Sequence, residues 1–224
     1  MLRGQSSFSH HALKWSAYFI GLLIMSLGIV LIIKANLGAS PWDVFHIGLY
    51  KQLGLTIGSW SIIVGFFILF VSSLLLKRLP QIGAFLNMIF VGIFIDMYMM
   101  IPFFGTPSSL TGKIIMLLTG VIVNGYGMGI YISSRVGAGP RDSLMLALTE
   151  LTKWKVQYIR TGIEIIVLSI GWILGGPVFW GTIVYSVAIG YAVGFTLPQC
   201  QRVFDELKGR LDKSPEIKAN HFSS

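Results

Sequence analysis

Apolar positions fall in long uninterrupted blocks, without alternation or a heptad rhythm. Trp15 to Ile33, Gln52 to Leu76 and Ile114 to Ser134 contain no Asp, Glu, Lys or Arg, and Leu79 to Ile95 stays uncharged until Asp96. Ile165 to Gln201 is also uncharged and is broken near its middle by Gly175-Gly176-Pro177. A helix needs about 20 mostly apolar residues to cross a hydrocarbon core roughly 30 Å thick. The blocks predict six spans, near 15–34, 57–76, 81–101, 113–133, 158–175 and 178–197. Two shorter segments, Val44 to Gly54 and Ser143 to Trp154, cannot span. The tail, 199–224, is expected to begin as a short amphipathic helix through about Lys213 and to be disordered beyond Pro215.

Composition agrees. Of 224 residues 54% are hydrophobic and only 12% charged, where a soluble domain carries about 25% charged residues. The net charge of +8 suits cytoplasmic loops facing anionic lipid. It does not suit nucleic acid, because no soluble basic segment interleaved with aromatics is present. Cys200 is alone, which excludes a disulfide framework and a thiolate metal cluster. Arg3 and Lys14 ahead of the first block would also fit a signal peptide. That block is longer than the usual h-region, and Ala35, Leu37 and Ala39 make a poor cleavage site, so the first span is read as retained.

Basic residues then orient the chain. Arg3 and Lys14 place the segment 1–14 in the cytoplasm. Lys77 with Arg78, the group Arg135, Arg141, Lys153, Lys155 and Arg160, and finally Arg202, Lys208 and Arg210 return to the same side. Only Lys34, Lys51 and Lys113 fall on the opposite one. Both termini are expected in the cytoplasm of a bacterial cell.

A repeat lies beneath this order. Asn36-Leu37-Gly38-Ala39-Ser40-Pro41-Trp42-Asp43 matches Arg135-Val136-Gly137-Ala138-Gly139-Pro140-Arg141-Asp142 at an offset of 99, with four identities in eight. Gly21 meets Gly120 and Gly28 meets Gly127 in the same register. With one residue dropped, Gly83 meets Gly181 and Gly92 meets Gly190. The expected fold is all-α and integral to the membrane: six transmembrane helices as two inverted three-helix repeats, 15–102 and 113–198, each with a short helix after its first span. Three spans is an odd number, so the second copy enters the membrane upside down, as in many transporters whose sites lie between the halves.

The Gly-Ala-Gly-Pro-Arg-Asp stretch resembles the YczE/YitT group of bacterial integral membrane proteins. The resemblance covers about residues 15–197 and rests on Ala35 to Asp43, Gly137 to Met145, Arg160-Thr161-Gly162-Ile163-Glu164 and Gly171 to Gly176. It implies fold and location, and little about chemistry.

The paired loops are the first candidates for function. Ser40 as N-cap, Pro41 as first helical residue and Asp43 as third make a capping box, and Gly139, Pro140 and Asp142 would do the same job. Two readings stay open. The short helices are interfacial caps, or they form a re-entrant pair lining a pathway, with their positive N-terminal ends meeting an anion or polar solute. The pathway reading nominates Gly38, Ser40, Pro41, Asp43, Gly137, Gly139, Pro140, Arg141, Asp142, Arg160 and Glu164. Glu164 is ionisable at membrane depth, hence a functional candidate, though a pair with Arg160 one turn away is the plain alternative. Asp96 is expected at the headgroups, and Asn87 and Asn124 are expected to bond across to neighbouring helices. Gly125, Gly127 and Gly129 lie in an apolar helix and suit close packing, as do Gly190 and Gly194. His10, His11, His46 and His221 show no metal spacing, with His46 expected at the interface, and no nucleophile–base set appears.

A small-solute transporter or channel is the leading expectation, and a non-transporting accessory protein supporting a partner enzyme or transporter is the rival. A membrane enzyme ranks third, and no catalytic residue, cofactor or metal is expected. Expected partners are the lipid bilayer, a small solute of unknown identity and, since chains this small often pair to complete a pathway, a homodimer partner; nucleic acid is not among them.

Overall fold

Each uncharged block forms a helix. The computed structural model describes residues 2–137 and 139–221, with side chains described for 10–137 and 139–211. Among these residues the chain forms eight helices and no strand: α1 (Leu2–Ala35), α2 (Pro41–Leu53), α3 (Ile57–Leu76), α4 (Ile82–Met99), α5 (Leu110–Ser133), α6 (Pro140–Thr152), α7 (Val156–Ile173) and α8 (Trp180–His221). Six of them are long and apolar enough to cross a membrane: His10–Ala35 within α1, then α3, α4, α5, α7 and Trp180–Leu211 within α8. The short α2 and α6, 13 residues each, are not.

One boundary differs from the sequence reading. The helix expected to stop before Pro215 continues to His221. Phe222 to Ser224, the end of the tail expected to be disordered, lie outside the described residues.

The core is the crossing of α1 on α5, the most extensive helix contact in the molecule. Glycines let the backbones meet there, as small residues do where no hydrophobic force separates helix from lipid. A side chain at Gly28 would strike the Asn124 backbone, and one at Gly127 would strike Met25; one at Gly21 would strike Tyr131, and one at Gly120 would strike Ile32. In both cases the second contact is the first shifted by 99 with its partners exchanged. Gly125 and Gly129 pack on α8 at Ala192 and Cys200, as an apolar packing face should.

The same reciprocity runs outward. α1 and α5 end in matched left-handed residues, Asn36 (φ 52°) and Arg135 (φ 56°). Asn36 N–H donates to the Ile33 carbonyl and Arg135 N–H to that of Ile132, both at 3.1 Å. The short helices end at Gly54 (φ 77°) and Lys153 (φ 60°), also 99 apart. α2 packs on α7 and α6 on α3, so each short helix lies against the span that follows the other's. Lys51, one of the misplaced cations, donates to the Gly175 carbonyl at 2.8 Å, and Gln52 donates to that of Leu174 at 3.0 Å.

The outer pairs break the pattern. α3 lies on α4, with Gly58 and Gly65 in close contact with Gly92 and Met88. Among the described residues no comparable contact joins α7 to α8. Gly190, the counterpart of Gly92, and Gly194 have open space where a side chain would stand, which corrects their assignment to helix packing.

Candidate functional site

The starts of α2 and α6 lie in the interior, beside Met25 near the middle of the first span and Asn124 near the middle of α5. Pro41 and Pro140 each open a helix where no backbone donor is needed. Ser40 caps α2 by accepting from Asp43 N–H at 3.2 Å, and its hydroxyl donates to Asp43 Oδ2 at 2.5 Å. Gly139, the N-cap of α6, has no side chain with which to do this, and Asp43 accepts from the Ser40 hydroxyl in place of its backbone N–H, so the first loop makes half of the expected capping box.

Between these starts is a cavity of about 150 Å³. Its walls come from both halves at corresponding positions: Met25 and Asn124, Ser40 and Gly139, Trp42 and Arg141, Asp43 and Asp142, Ser61 and Arg160, Gly65 and Glu164, Asn87 and Tyr185. The second half places a charge where the first has Trp42, Ser61 or Gly65, so a symmetric frame carries an asymmetric lining.

Of the nominated residues, Ser40, Pro41, Asp43, Gly139, Pro140, Arg141, Asp142, Arg160 and Glu164 line this cavity. Gly38 and Gly137 do not. They hold the loops against the opposite half, Gly38 (φ +111°) on Gly181 and Thr182 and Gly137 on Gly83 and Ala84. Ala138 lies outside the described residues.

The charges form two groups. Arg141 Nη2 lies 4.0 Å from Asp43 Oδ1, and its Cζ stands 4.9 Å over the Trp42 ring. Arg160 Nε donates to Glu164 Oε1 at 3.1 Å, the one-turn pair that the spacing predicts. Tyr131 donates to Asp142 Oδ2 at 3.5 Å. Neither short helix crosses the bilayer. Burial raises the carboxyl of Asp43, and Arg141 and the Ser40 hydroxyl oppose the rise. Burial likewise raises that of Asp142, against Arg141 and Arg160. Burial and the Arg141 charge lower His46 well below its usual range, leaving a neutral imidazole.

His46 corrects its expected interfacial place. It is buried with Asp43, Nδ1 4.0 Å from Asp43 Oδ1, and lines the cavity. Asn124 bonds across helices as expected, donating to the Met25 carbonyl at 3.4 Å, but its Oδ1 has no hydrogen-bond partner. Asp43 Oδ1, His46 Nδ1 and Asn87 Nδ2 are likewise buried without hydrogen-bond partners. Asp96, in the last turn of α4, is half-buried. Its carboxylate accepts from Gly58 N–H at 2.9 Å and the Thr56 hydroxyl at 2.5 Å, at the start of α3. Among the described residues no group of His, Cys, Asp and Glu could hold a metal ion.

The fold and cavity define a multi-pass helical membrane protein with a polar interior site between two halves of the chain. The chain belongs to the family described as "Family of unknown function (DUF6198)", whose profile matches residues 12–198. It is 46% identical over 209 residues to a Bacillus subtilis (strain 168) protein described as "Uncharacterized membrane protein YczE", covering 93% of this chain and 95% of the relative. It is 31% identical to the "Uncharacterized protein YyaS" of the same organism, over 86% of this chain and 96% of that one. A Haemophilus influenzae "Uncharacterized protein" is 32% identical, with 81% and 82% covered. No solved structure matches the chain.

Proposed function

We propose that the protein is a small-solute transporter whose site lies between two inverted three-span repeats, with both termini in the cytoplasm. The observation that carries this reading is the cavity. It is lined by charged and polar side chains among apolar ones, beside Met25 and Asn124 near mid-span, and each half contributes to it the start of a short helix and the same set of wall positions. Irregular backbone at membrane depth belongs where it is buried in protein or lines an aqueous space. A scaffold would gain nothing from four unpartnered polar atoms there, each costing about 1–3 kcal/mol to desolvate.

The difference between the outer pairs gives the motion. α3 is closed on α4 and α7 stands away from α8. Exchanging those two arrangements, by rocking the repeats about the α1–α5 crossing, would close one approach to the cavity and open the other. With the termini inside, the gap beside Arg160 faces the cytoplasm.

The test is cysteine accessibility, with Cys200 replaced and single cysteines placed at Ser40 and Gly139. An impermeant thiol reagent is applied to intact cells and separately to inside-out vesicles. Labelling of both positions from at least one aqueous side is expected. No labelling from either side, in protein that is correctly inserted, rules the pathway out.

A further inference from the structure

Resting on the transport reading, we propose that the solute carries a cationic nitrogen, an ammonium or guanidinium-like group, which takes the place on Asp43 and Trp42 that Arg141 holds in this structure. Asp43 is only 1% exposed, and a buried carboxylate requires a counter-charge. Its Oδ2 is satisfied by Ser40, whereas Oδ1 has no hydrogen bond. The nearest cation is Arg141 Nη2 at 4.0 Å, beyond hydrogen-bond reach. A carboxylate beside the face of a tryptophan is a recognition site for organic cations. Here the guanidinium on that face is tethered, on a side chain that is 39% exposed, and in the proposal it swings outward when the solute enters. A solute cation could approach Oδ1 to ordinary hydrogen-bond distance and displace it.

Asn124 supplies the second contact. Its amide nitrogen is committed to the Met25 carbonyl, so its unpartnered Oδ1 is an acceptor awaiting an N–H. An anion is the weaker choice, although two helix starts meet here. Each carries its own carboxylate in the first turn, Asp43 or Asp142, which already occupies the positive end. With Arg141 swung out, Asp43, Asp142 and Glu164 outnumber Arg160. A dry cavity of 150 Å³ accommodates benzene, so the solute has about five to eight non-hydrogen atoms.

In this arrangement Arg141 neutralises Asp43 in the empty carrier and competes with the solute for it. Removing it should therefore tighten binding while impairing return of the empty carrier. The full chain in nanodiscs is titrated calorimetrically with butylammonium, with alanine as a zwitterion, and with butyrate as the isosteric anion. Butylammonium or alanine is expected to bind and butyrate is not. Arg141→Gln should tighten that binding about tenfold, since a competitor holding nine-tenths of the sites imposes that factor. Asp43→Asn should abolish it. The gain in Arg141→Gln is the decisive arm, because misfolding cannot produce it. Binding of butyrate in preference, no binding of either amine, or an Arg141→Gln affinity that stays level or falls overturns the assignment. If cysteines at Ser40 and Gly139 label but neither amine binds, the solute class is wrong and transport stands. If the amines bind as expected and neither cysteine labels, the cation site stands and transport fails.

Discussion

The Arg141 guanidinium stacks on the Trp42 ring, and the two residues occupy the same position in the two copies of the Gly-Ala-x-Pro-x-Asp sequence. Two side chains at matching positions of the motif meet, one a cation and the other its aromatic platform. Arg141 also faces Asp43, the residue that follows Trp42. The two loops are thereby joined by side chains as well as by packing.

A double-mutant cycle of Asp43→Asn and Arg141→Gln measures that junction. The coupling should be about 1.3 kcal/mol, the free energy at which Arg141 holds nine-tenths of the sites, within the range for a charged pair 4.0 Å apart with Arg141 39% exposed. Thermal unfolding of the purified protein in detergent reads it. A coupling of several kcal/mol would mean a locked structural pair, unable to yield to a solute.

Gly92 and Gly190 are matched in sequence and opposite in surroundings, so the same substitution should act differently at each. Gly92→Val would drive a side chain into Ile62 and the Gly58 carbonyl and should cost about 2–3 kcal/mol by overpacking. Gly190→Val meets nothing within reach and should leave the melting temperature unchanged. If α7 must close on α8 during transport, Gly190→Val should nevertheless slow flux in proteoliposomes. A Gly190→Val protein with normal stability and normal flux would remove the case for that closure.

The spans were legible in the sequence because a bilayer demands some twenty uncharged residues and few other structures do. The short helices were legible from Ser40, Pro41 and Asp43, whose chemistry at a helix start is specific. His46 was not legible. A histidine on an amphipathic helix faces whatever its neighbours allow, and its burial follows from the packing of Gly48 on Gly171 of α7, a contact between distant parts of the chain. The partners of Asp96 were not legible for the same reason, since Gly58, whose N–H it accepts, lies 38 residues away. Nor could Gly190 reveal that its partner helix stands off. Sequence symmetry predicts equivalent contacts, and the two halves here hold different ones.

Asp96→Ala tests what that residue holds. The substitution leaves Gly58 N–H and the Thr56 hydroxyl at the start of α3 without their acceptor, and should destabilise the protein by about 1–2 kcal/mol. Asp96 does not line the cavity, so flux corrected for the amount of folded protein should be unchanged. A loss of flux at full stability would place Asp96 among the pathway residues.

Glu164→Gln should separate stability from function most cleanly. The carboxylate pairs with Arg160 one turn earlier on α7, with the Glu164 and Arg160 side chains 32% and 54% exposed. An exposed pair at this spacing contributes about 0.3–0.5 kcal/mol, so folding and insertion should be nearly unaffected. Its place in the wall is a different matter. Glu164 stands where the first half has Gly65, and the substitution removes a negative charge from a cavity proposed to hold a cation. Uptake of labelled alanine or an alkylammonium into proteoliposomes should therefore fall severalfold while the melting temperature holds. The reverse pattern, lower stability with uptake intact in the surviving fraction, would assign Glu164 to holding α7 in place and nothing more.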